Sequence, residues 1–260
     1  MKSAIHSGWP PRERRSVERL LAPLDAVAES SPRFISKSLG EFENGGRTYT
    51  LPRFIYLGAK GGGDTSRIGI FATLQGDEPE GALALARFVD LLESNPEIAK
   101  GYALFLYPVC NPTGFEDNTS DSRTGKNLDR EFWKTTAEPE VRYLQSEIWM
   151  HAFDGIITLR SDSLANGIWG HAGGAVISQN LLGPALREAE QILPRDPSRT
   201  DETGNFGLKK PPVGLRQPPF EIVLQTPRKA PLHRQVDALV VALRTILIEY
   251  RYLIAIAQNI

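Results

Sequence analysis

The sequence predicts a single α/β domain with a mixed, mostly parallel sheet that is covered by helices on both faces. Two observations indicate this class. From about residue 67 onward, short apolar runs typical of strands alternate with longer stretches of helical periodicity, and such alternation favours parallel strands joined by helices. The chain of 260 residues is 41% hydrophobic, which suits one sizeable core.

Apolar periodicity and turn residues predict the elements in chain order. An opening helix is expected near 13–28, followed by strands near 33–42 and 48–57 that the turn at 44–46 separates. The alternating part then comprises a strand at 67–74, a helix at 79–94, a strand at 102–109, a helix at 138–151, a strand at 154–159, a helix at 178–193, a strand at 220–224 and a last helix at 231–258. Two loops, 110–137 and 194–219, are longer than compact domains usually contain without a purpose.

Composition and charge exclude several classes of function. The formal net charge of −1 provides no field that would attract nucleic acid or an anionic membrane. The most apolar stretch, Val236 to Ile256, is interrupted by Arg244, Glu249 and Arg251, so we expect a core helix there and no membrane span. The single cysteine, Cys110, excludes an intramolecular disulfide, and the first 25 residues contain no signal-peptide pattern. These observations predict a cytoplasmic protein.

Polar clusters follow four of the predicted strands. They run from Gln75 to Glu78, from Asn111 to Arg130 and from Arg160 to Asp162, and the fourth is Gln225. Ligands of open α/β sheets bind outside the carboxyl ends of the strands. Ordinary turns, helix caps or surface ion pairs would explain each cluster alone. Their shared edge nevertheless predicts a binding site.

Taken in order, these segments resemble the zinc metallocarboxypeptidase family, especially its deacylase-like bacterial branch. The family pattern is His-Gly-x-Glu-Pro-x-Gly after a strand, then Asn-Pro-x-Gly followed by an Arg and Asp-Leu-Asn-Arg-x-Phe, then Asp-Leu-His, and finally a Glu on the last strand. The matching stretches are Gln75-Gly-Asp-Glu78-Pro-Glu-Gly81, Asn111-Pro-Thr-Gly114, Asn127-Leu-Asp129-Arg130-Glu-Phe132, Thr158-Leu-Arg160-Ser-Asp162 and Val223-Leu-Gln225-Thr-Pro227. The resemblance runs from about residue 67 to the C-terminus. It implies a sheet of about eight strands in one domain, with 67–260 as the family-like core and 1–57 as an N-terminal helix and edge strands.

The resemblance implies that the metal site is degenerate. The three zinc ligands of the family fall at Gln75, Glu78 and Arg160, and only Glu78 keeps a ligand side chain. The general base of the family falls at Gln225, whose amide cannot take a proton. Glutamine is a poor neutral donor, and arginine cannot be deprotonated and carries its own positive charge. We therefore expect no zinc or other cofactor, and a forked ion pair between Arg160 and Glu78 where the metal would lie.

The positions that hold the substrate in the family are altered as well. The arginine that polarises the scissile carbonyl falls at Ser120, with Arg123 as a displaced substitute. The Asn-Arg pair that holds the carboxylate of the substrate falls at Asp129 and Arg130. Arg130, Arg160 and Arg123 thus remain as cationic contacts for a small carboxylate or a peptide.

Three functions follow, and the sequence favours the first. The first is a non-catalytic relative that binds a carboxylate or a peptide. The second is an active hydrolase, either a carboxypeptidase or an N-acyl amino acid deacylase, which recruits zinc through ligands such as Glu78, Asp162 and His171. The third is a structural or partner-binding protein with a closed cleft.

Overall fold

The structure is a computed structural model that describes residues 15–199, 208 and 219–258. Its strands are β1 (Phe34–Asn44), β2 (Arg47–Leu57), β3 (Ser66–Ala72), β4 (Tyr102–Tyr107), β5 (Gly155–Asp162), β6 (Trp169–Ala172) and β7 (Phe220–Pro227). They form one seven-stranded sheet in the order β1-β2-β4-β3-β5-β7-β6. The adjacent strands β4, β3, β5 and β7 are parallel to one another, whereas β2 and β6 run antiparallel to their neighbours. The predicted α/β class and mixed sheet are confirmed.

Helices cover both faces of the sheet. They are α1 (Val17–Ser30), α2 (Glu80–Ser94), α3 (Pro112–Asp117), α4 (Pro139–His151), α5 (Ala175–Ile177), α6 (Gly183–Ala189) and α7 (Leu232–Gln258). Side chains cap two of them. The hydroxyl of Ser16 accepts a hydrogen bond from Arg19 N at the start of α1 (3.1 Å), and the side chain of Asn111 accepts one from Gly114 N at the start of α3 (2.9 Å). Each bond satisfies a backbone donor that the helix leaves unpaired.

Two hydrophobic cores fill the spaces between the sheet and the helices. Alternate residues of β3 point to opposite faces: Ile68 and Ile70 join the core that includes α1, α2, α6 and α7, whereas Phe71 joins the core that includes α4. Phe71 stacks on Tyr107 of β4 with ring centroids 4.4 Å apart. The parallel strands are thus buried on both faces, and this holds their carboxyl ends rigidly at one edge.

The outer strands of the sheet differ from the central ones. Gly45 and Gly46, with φ angles of 58° and 73°, make the tight turn between β1 and β2, and φ angles above zero at both turn residues favour glycine. The register of β1 against β2 shifts between Ser38 and Glu41. At the opposite side, β6 is only four residues long.

Some elements depart from the sequence prediction. The described residues form seven strands rather than about eight, and β6 was not predicted because its short sequence lacks apolar alternation. The helix expected at 178–193 is divided into α5, a π-helical turn at Ser178–Leu182 and α6. The loop at 110–137 contains α3 and a short 3-10 turn at Leu128–Arg130. Residues 13–14 of the opening helix and most of the loop at 194–219 lie outside the described residues.

Neither α7 nor any other helix in the described ranges has the combination of length and apolar character that crossing a bilayer requires.

Cys110 is buried and carries a free thiol, and burial strongly raises its pKa. A thiol of this kind behaves as a small core side chain rather than as a nucleophile.

Candidate functional site

A cleft of about 710 Å³ lies at the carboxyl ends of β3, β5 and β7, and its size is typical of small-molecule sites. Seven residues singled out in the sequence line it: Gln75, Ser120, Asp129, Arg130, Arg160, Asp162 and Gln225. The structure therefore brings all four polar clusters to one edge of the sheet.

Strand register places two of these residues side by side. Arg160 of β5 and Gln225 of β7 are partners in the parallel ladder, and Trp169 of β6 lies opposite Gln225 on the other side. Partner residues in adjacent strands project to the same face of a sheet. The three side chains consequently line the same wall of the cleft.

The turn after β3 places Gln75 in the lining of the cleft and Glu78 beneath it. Thr73 adopts a left-handed backbone conformation with φ of 53°, and its hydroxyl donates to the carbonyl oxygen of Glu78 (3.1 Å). The loop after β4 packs so closely that a Cβ on Gly76 would lie 2.0 Å from the carbonyl carbon of Gly114. Only glycine fits at this approach, which fixes the two loops against each other.

Glu78 lies at the foot of the cleft with 1% of its surface exposed. Its Oε1 accepts a hydrogen bond from Nη2 of Arg228 at 2.9 Å. With the Gln75 amide oriented to satisfy its neighbours, the amide nitrogen also donates to Glu78 Oε1 (3.2 Å). Burial raises the pKa of Glu78 above its ordinary value, and the nearby guanidinium groups of Arg160 and Arg228 oppose that rise.

The prediction of a forked ion pair between Arg160 and Glu78 is wrong, because each of the two side chains is hydrogen-bonded to other residues. Arg160 Nη1 lies 2.7 Å from Asp129 Oδ2, and Arg160 Nη2 donates to the reoriented Gln75 amide oxygen. Its Nε is 3.9 Å from Glu78 Oε2, which is too long for a hydrogen bond. The guanidinium that donates to Glu78 is instead that of Arg228, through Nη2 to Oε1. The acid at position 129 thus balances the charge of Arg160.

Arg130 and Gln225 are two lining residues whose side chains have no partner within the described part of the protein. The side chain of Arg130 is exposed and makes no hydrogen bond or ion pair with a described residue. Gln225 is 8% exposed, and its amide likewise has no partner among those residues. A guanidinium beside an amide can bind an anion that also accepts or donates a hydrogen bond.

Arg123, considered as a displaced substrate contact, does not line the cleft. Its Nε donates to Asp117 Oδ2 (2.6 Å), its Nη2 donates to Asp117 Oδ1 (2.8 Å), and its Nη1 donates to the hydroxyl of Tyr49. The guanidinium also lies over the Tyr49 ring, 5.3 Å from its centroid. The carboxylate of Asp117 therefore draws this arginine away from the site and into a separate ion network.

The side chains considered as recruited ligands do not converge. Asp162 lines the cleft, but its Oδ2 pairs with Arg199 Nη2 (3.1 Å) and its Oδ1 accepts from Leu164 N (2.8 Å). His171 lies on β6 opposite Val223 and is not part of the lining.

Ser120 is in the cleft, where its carbonyl oxygen accepts a hydrogen bond from Gly76 N (3.4 Å).

Sequence reasoning missed Arg228, whose guanidinium contacts three residues at this site. Its Nη1 lies 2.6 Å from Asp77 Oδ2, its Nη2 donates to Glu78, and its Nε donates to the hydroxyl of Ser161 (3.2 Å). Arg228 comes three residues after Gln225, so its position beyond the same strand end was the signal that could have found it.

The residues at the family's ligand positions do not fit a zinc ion. Glu78 is joined by Gln75 and Arg160, and a second guanidinium, that of Arg228, contacts its carboxylate. Guanidinium groups repel a dication and cannot ligate it. Within the described ranges, no group of three His, Cys, Asp or Glu side chains is placed to hold a metal ion.

Comparison with known proteins gives structural relatives only. No protein-family model matches the chain, and no curated protein matches it. A protein of Shewanella amazonensis described as a metallopeptidase superposes with a TM-score of 0.69 at 22% identity, covering 89% of this chain and 92% of that one. A metallo-carboxypeptidase from Burkholderia cenocepacia gives a TM-score of 0.72 at 17% identity over 92% of this chain and 70% of its own.

The likeness extends to an animal protein. Bovine thrombin-activatable fibrinolysis inhibitor, in complex with tick carboxypeptidase inhibitor, gives a TM-score of 0.61 at 14% identity, covering 95% of this chain and 99% of that one. At such identities the likeness concerns the backbone, while the side chains of the site decide the chemistry. The chain has the fold of the metallocarboxypeptidases.

Proposed function

We propose that this protein is a metallocarboxypeptidase-like protein that binds a small carboxylate, or the carboxyl terminus of a peptide, without hydrolysing it. One observation carries the proposal: Glu78, which alone retains a ligand side chain, accepts a hydrogen bond from Arg228 at 2.9 Å. The carboxylate that would bind a metal is thus already balanced by an internal cation.

The residue at the position of the general base supports a non-catalytic role. Gln225 lines the cleft beside Arg160, and an amide has no basic lone pair that could take a proton from water at neutral pH. A catalytic pair of an activated water and a carboxylate base therefore has no counterpart at these positions.

Arg130 supports carboxylate binding. It is the arginine of the lining that has no side-chain partner within the described ranges, whereas Arg160, Arg199 and Arg228 are each paired with a carboxylate. A guanidinium without a partner at the mouth of a cleft matches the planar geometry of a carboxylate.

The buried, free thiol of Cys110 suits a reducing compartment, and we propose a cytoplasmic location.

Titration calorimetry with a panel of short peptides tests the binding step. Each peptide is supplied with a free and with an amidated carboxyl terminus, and N-acyl amino acids extend the panel. We expect binding of free carboxylates only, and a loss of about tenfold or more in affinity in Arg130→Gln, as for a charge-assisted hydrogen bond. Arg142→Gln, at an exposed position on α4, is the matched control and should bind as wild type does.

Elemental analysis of extensively dialysed protein, with hydrolysis assays on the same panel, tests the absence of catalysis. We expect no stoichiometric zinc and no turnover. About one zinc per chain together with turnover that a chelator abolishes would contradict the proposal and favour a hydrolase with recruited ligands. Absence of binding by every peptide and acid would instead favour a structural protein with a closed cleft.

A further inference from the structure

Arg228 is held through its whole guanidinium group. All three nitrogens of its guanidinium are used: Nη1 contacts Asp77 (2.6 Å), Nη2 donates to Glu78 (2.9 Å) and Nε donates to Ser161 (3.2 Å). The backbone is also fixed, since Arg228 N donates to the carbonyl oxygen of Asp162 (3.0 Å). The guanidinium therefore has one well-defined position, directly beside Glu78.

We infer that Arg228 closes this site to metal ions, and that it would still do so if histidines were restored at the ligand positions Gln75 and Arg160. A dication and a guanidinium compete for the same carboxylate, and like charges this close in a buried site are poorly screened. Arg228 lies 2.9 Å from Glu78 Oε1, whereas Arg160 Nε is 3.9 Å from Oε2. In addition, Arg160 Nη1 forms an ion pair with Asp129 Oδ2 at 2.7 Å.

Of the two carboxylate oxygens of Glu78, Arg228 leaves one available to a metal ion. Oε1 is taken by Arg228 and by the reoriented amide of Gln75. Oε2 is buried and has no hydrogen-bond partner within the described residues. If Gln75 and Arg160 were both replaced by histidine, this one oxygen and two imidazoles would be offered to a metal ion, but the charge of Arg228 would still oppose binding. Restoring the ligand positions alone should therefore give only a weak site.

This inference rests on the non-catalytic part of the proposed function, because both depend on the contact between Arg228 and Glu78, but it holds whether or not the cleft binds a carboxylate. Failure of the peptide-binding experiment would leave it intact, and its own failure would leave carboxylate binding by Arg130 intact.

Zinc affinity in matched variants tests the inference. The starting protein carries Gln75→His and Arg160→His. The test variant adds Arg228→Gln to this protein, and the control variant adds Arg130→Gln instead. Arg130 suits the control because it is a lining arginine that makes no contact with Glu78. Affinity is measured by competition with a chromophoric chelator, and the absorption spectrum of bound cobalt reports the coordination. We expect Arg228→Gln to tighten zinc binding by about tenfold or more, because the carboxylate of Glu78 loses a charge-assisted contact that competes with the metal ion. We expect Arg130→Gln to change the zinc affinity by less than about threefold, because the charge of Arg130 is screened by solvent.

Equal affinities in the two added variants would overturn the inference, and so would the absence of zinc binding in an Arg228→Gln variant that circular dichroism shows to be folded. If the histidine substitutions prevent folding, the native background provides the second test. Arg228→Gln and Glu78→Gln should each lower Tm, and the double variant should lose less than the sum of the two losses. Additive losses would show that Arg228 does not hold Glu78, and the inference would fail.

Discussion

At the scale of single residues, the acids in and beneath the cleft are each paired with an arginine, and one arginine serves two of them. Arg228 holds Asp77 and Glu78, Arg160 holds Asp129, and Arg199 holds Asp162 while lying over the ring of Trp169. Removing one partner of a buried pair leaves the other charge uncompensated, which costs more than the pair itself contributes. The distances therefore predict which side chains are energetically coupled.

Double-mutant cycles on Arg160 check this pairing. Arg160→Ala combined with Asp129→Ala should show a coupling energy of about 1–3 kcal/mol, because the two charges lie 2.7 Å apart and their side chains are 14% and 16% exposed. Arg160→Ala combined with Glu78→Ala serves as the control and should show a smaller coupling energy, since Nε of Arg160 lies 3.9 Å from Oε2 of Glu78, beyond hydrogen-bond distance. Free energies of unfolding come from denaturant titrations. A stronger coupling of Arg160 to Glu78 than to Asp129 would mean that the pairing described here is incorrect.

At the scale of elements, the site depends on the close approach of the loop after β3 to α3. Asn111 fixes this approach, because its Nδ2 donates to the carbonyl oxygens of Leu74 and Ser120 (3.3 Å each) while its Oδ1 caps α3. Gly76 is the point of contact, where an added Cβ would overlap backbone atoms. Backbone atoms cannot move aside as a flexible side chain can.

Gly76→Ala should therefore destabilise the protein by roughly 3 kcal/mol, at the upper end of the usual cost of overpacking, and should weaken any ligand binding in the cleft. Gly62→Ala is the matched control, because no heavy atom lies within 4 Å of the Cβ that it would add. Its stability should stay within about 1 kcal/mol of wild type. Thermal and denaturant unfolding measure both changes, and equal stabilities of the two variants would refute the account of the loop contact.

The elements also show what the sequence can and cannot reveal. Long periodic segments such as α2 and α7 were predicted within a few residues, because their apolar faces repeat over several turns. β6 was missed because four residues carry no period of their own and the strand exists through its pairing with β7. The site edge was predicted from the ends of parallel strands, but the choice of Arg228 over Arg160 as the partner of Glu78 depends on distances that no sequence pattern encodes.

At the scale of the whole molecule, buried carboxyl groups connect stability to pH. Glu140 of α4 is buried, with 1% of its surface exposed. Burial raises the pKa of Glu140 to about 7, and the nearby carboxylate of Glu138 adds to the rise. In the unfolded chain the pKa of the same group is near its ordinary value of 4.5. Between these two values the folded protein binds the proton and the unfolded chain does not.

The stability that Glu140 contributes is therefore fully present below about pH 4.5 and is lost as the pH rises through about 7. The shift corresponds to as much as roughly 3 kcal/mol. We expect the free energy of unfolding of wild type, minus that of Glu140→Gln, to fall across this window and to level off above it. Taking the difference cancels other titrating groups, such as His151, whose lowered pKa acts in the opposite direction. A difference that is constant with pH would show that Glu140 is already ionised in the fold.

The two outer strands bear on how the molecule behaves at high concentration. An open strand edge offers unpaired backbone groups onto which a further chain can add, and this is how ordered aggregates begin to grow. In the described part of the chain, β1 is interrupted by its register shift between Ser38 and Glu41, and β6 is four residues long. Neither edge presents a long regular ladder, so one molecule is a poor template for the next, and the sheet can be apolar at its centre without spreading into fibrils.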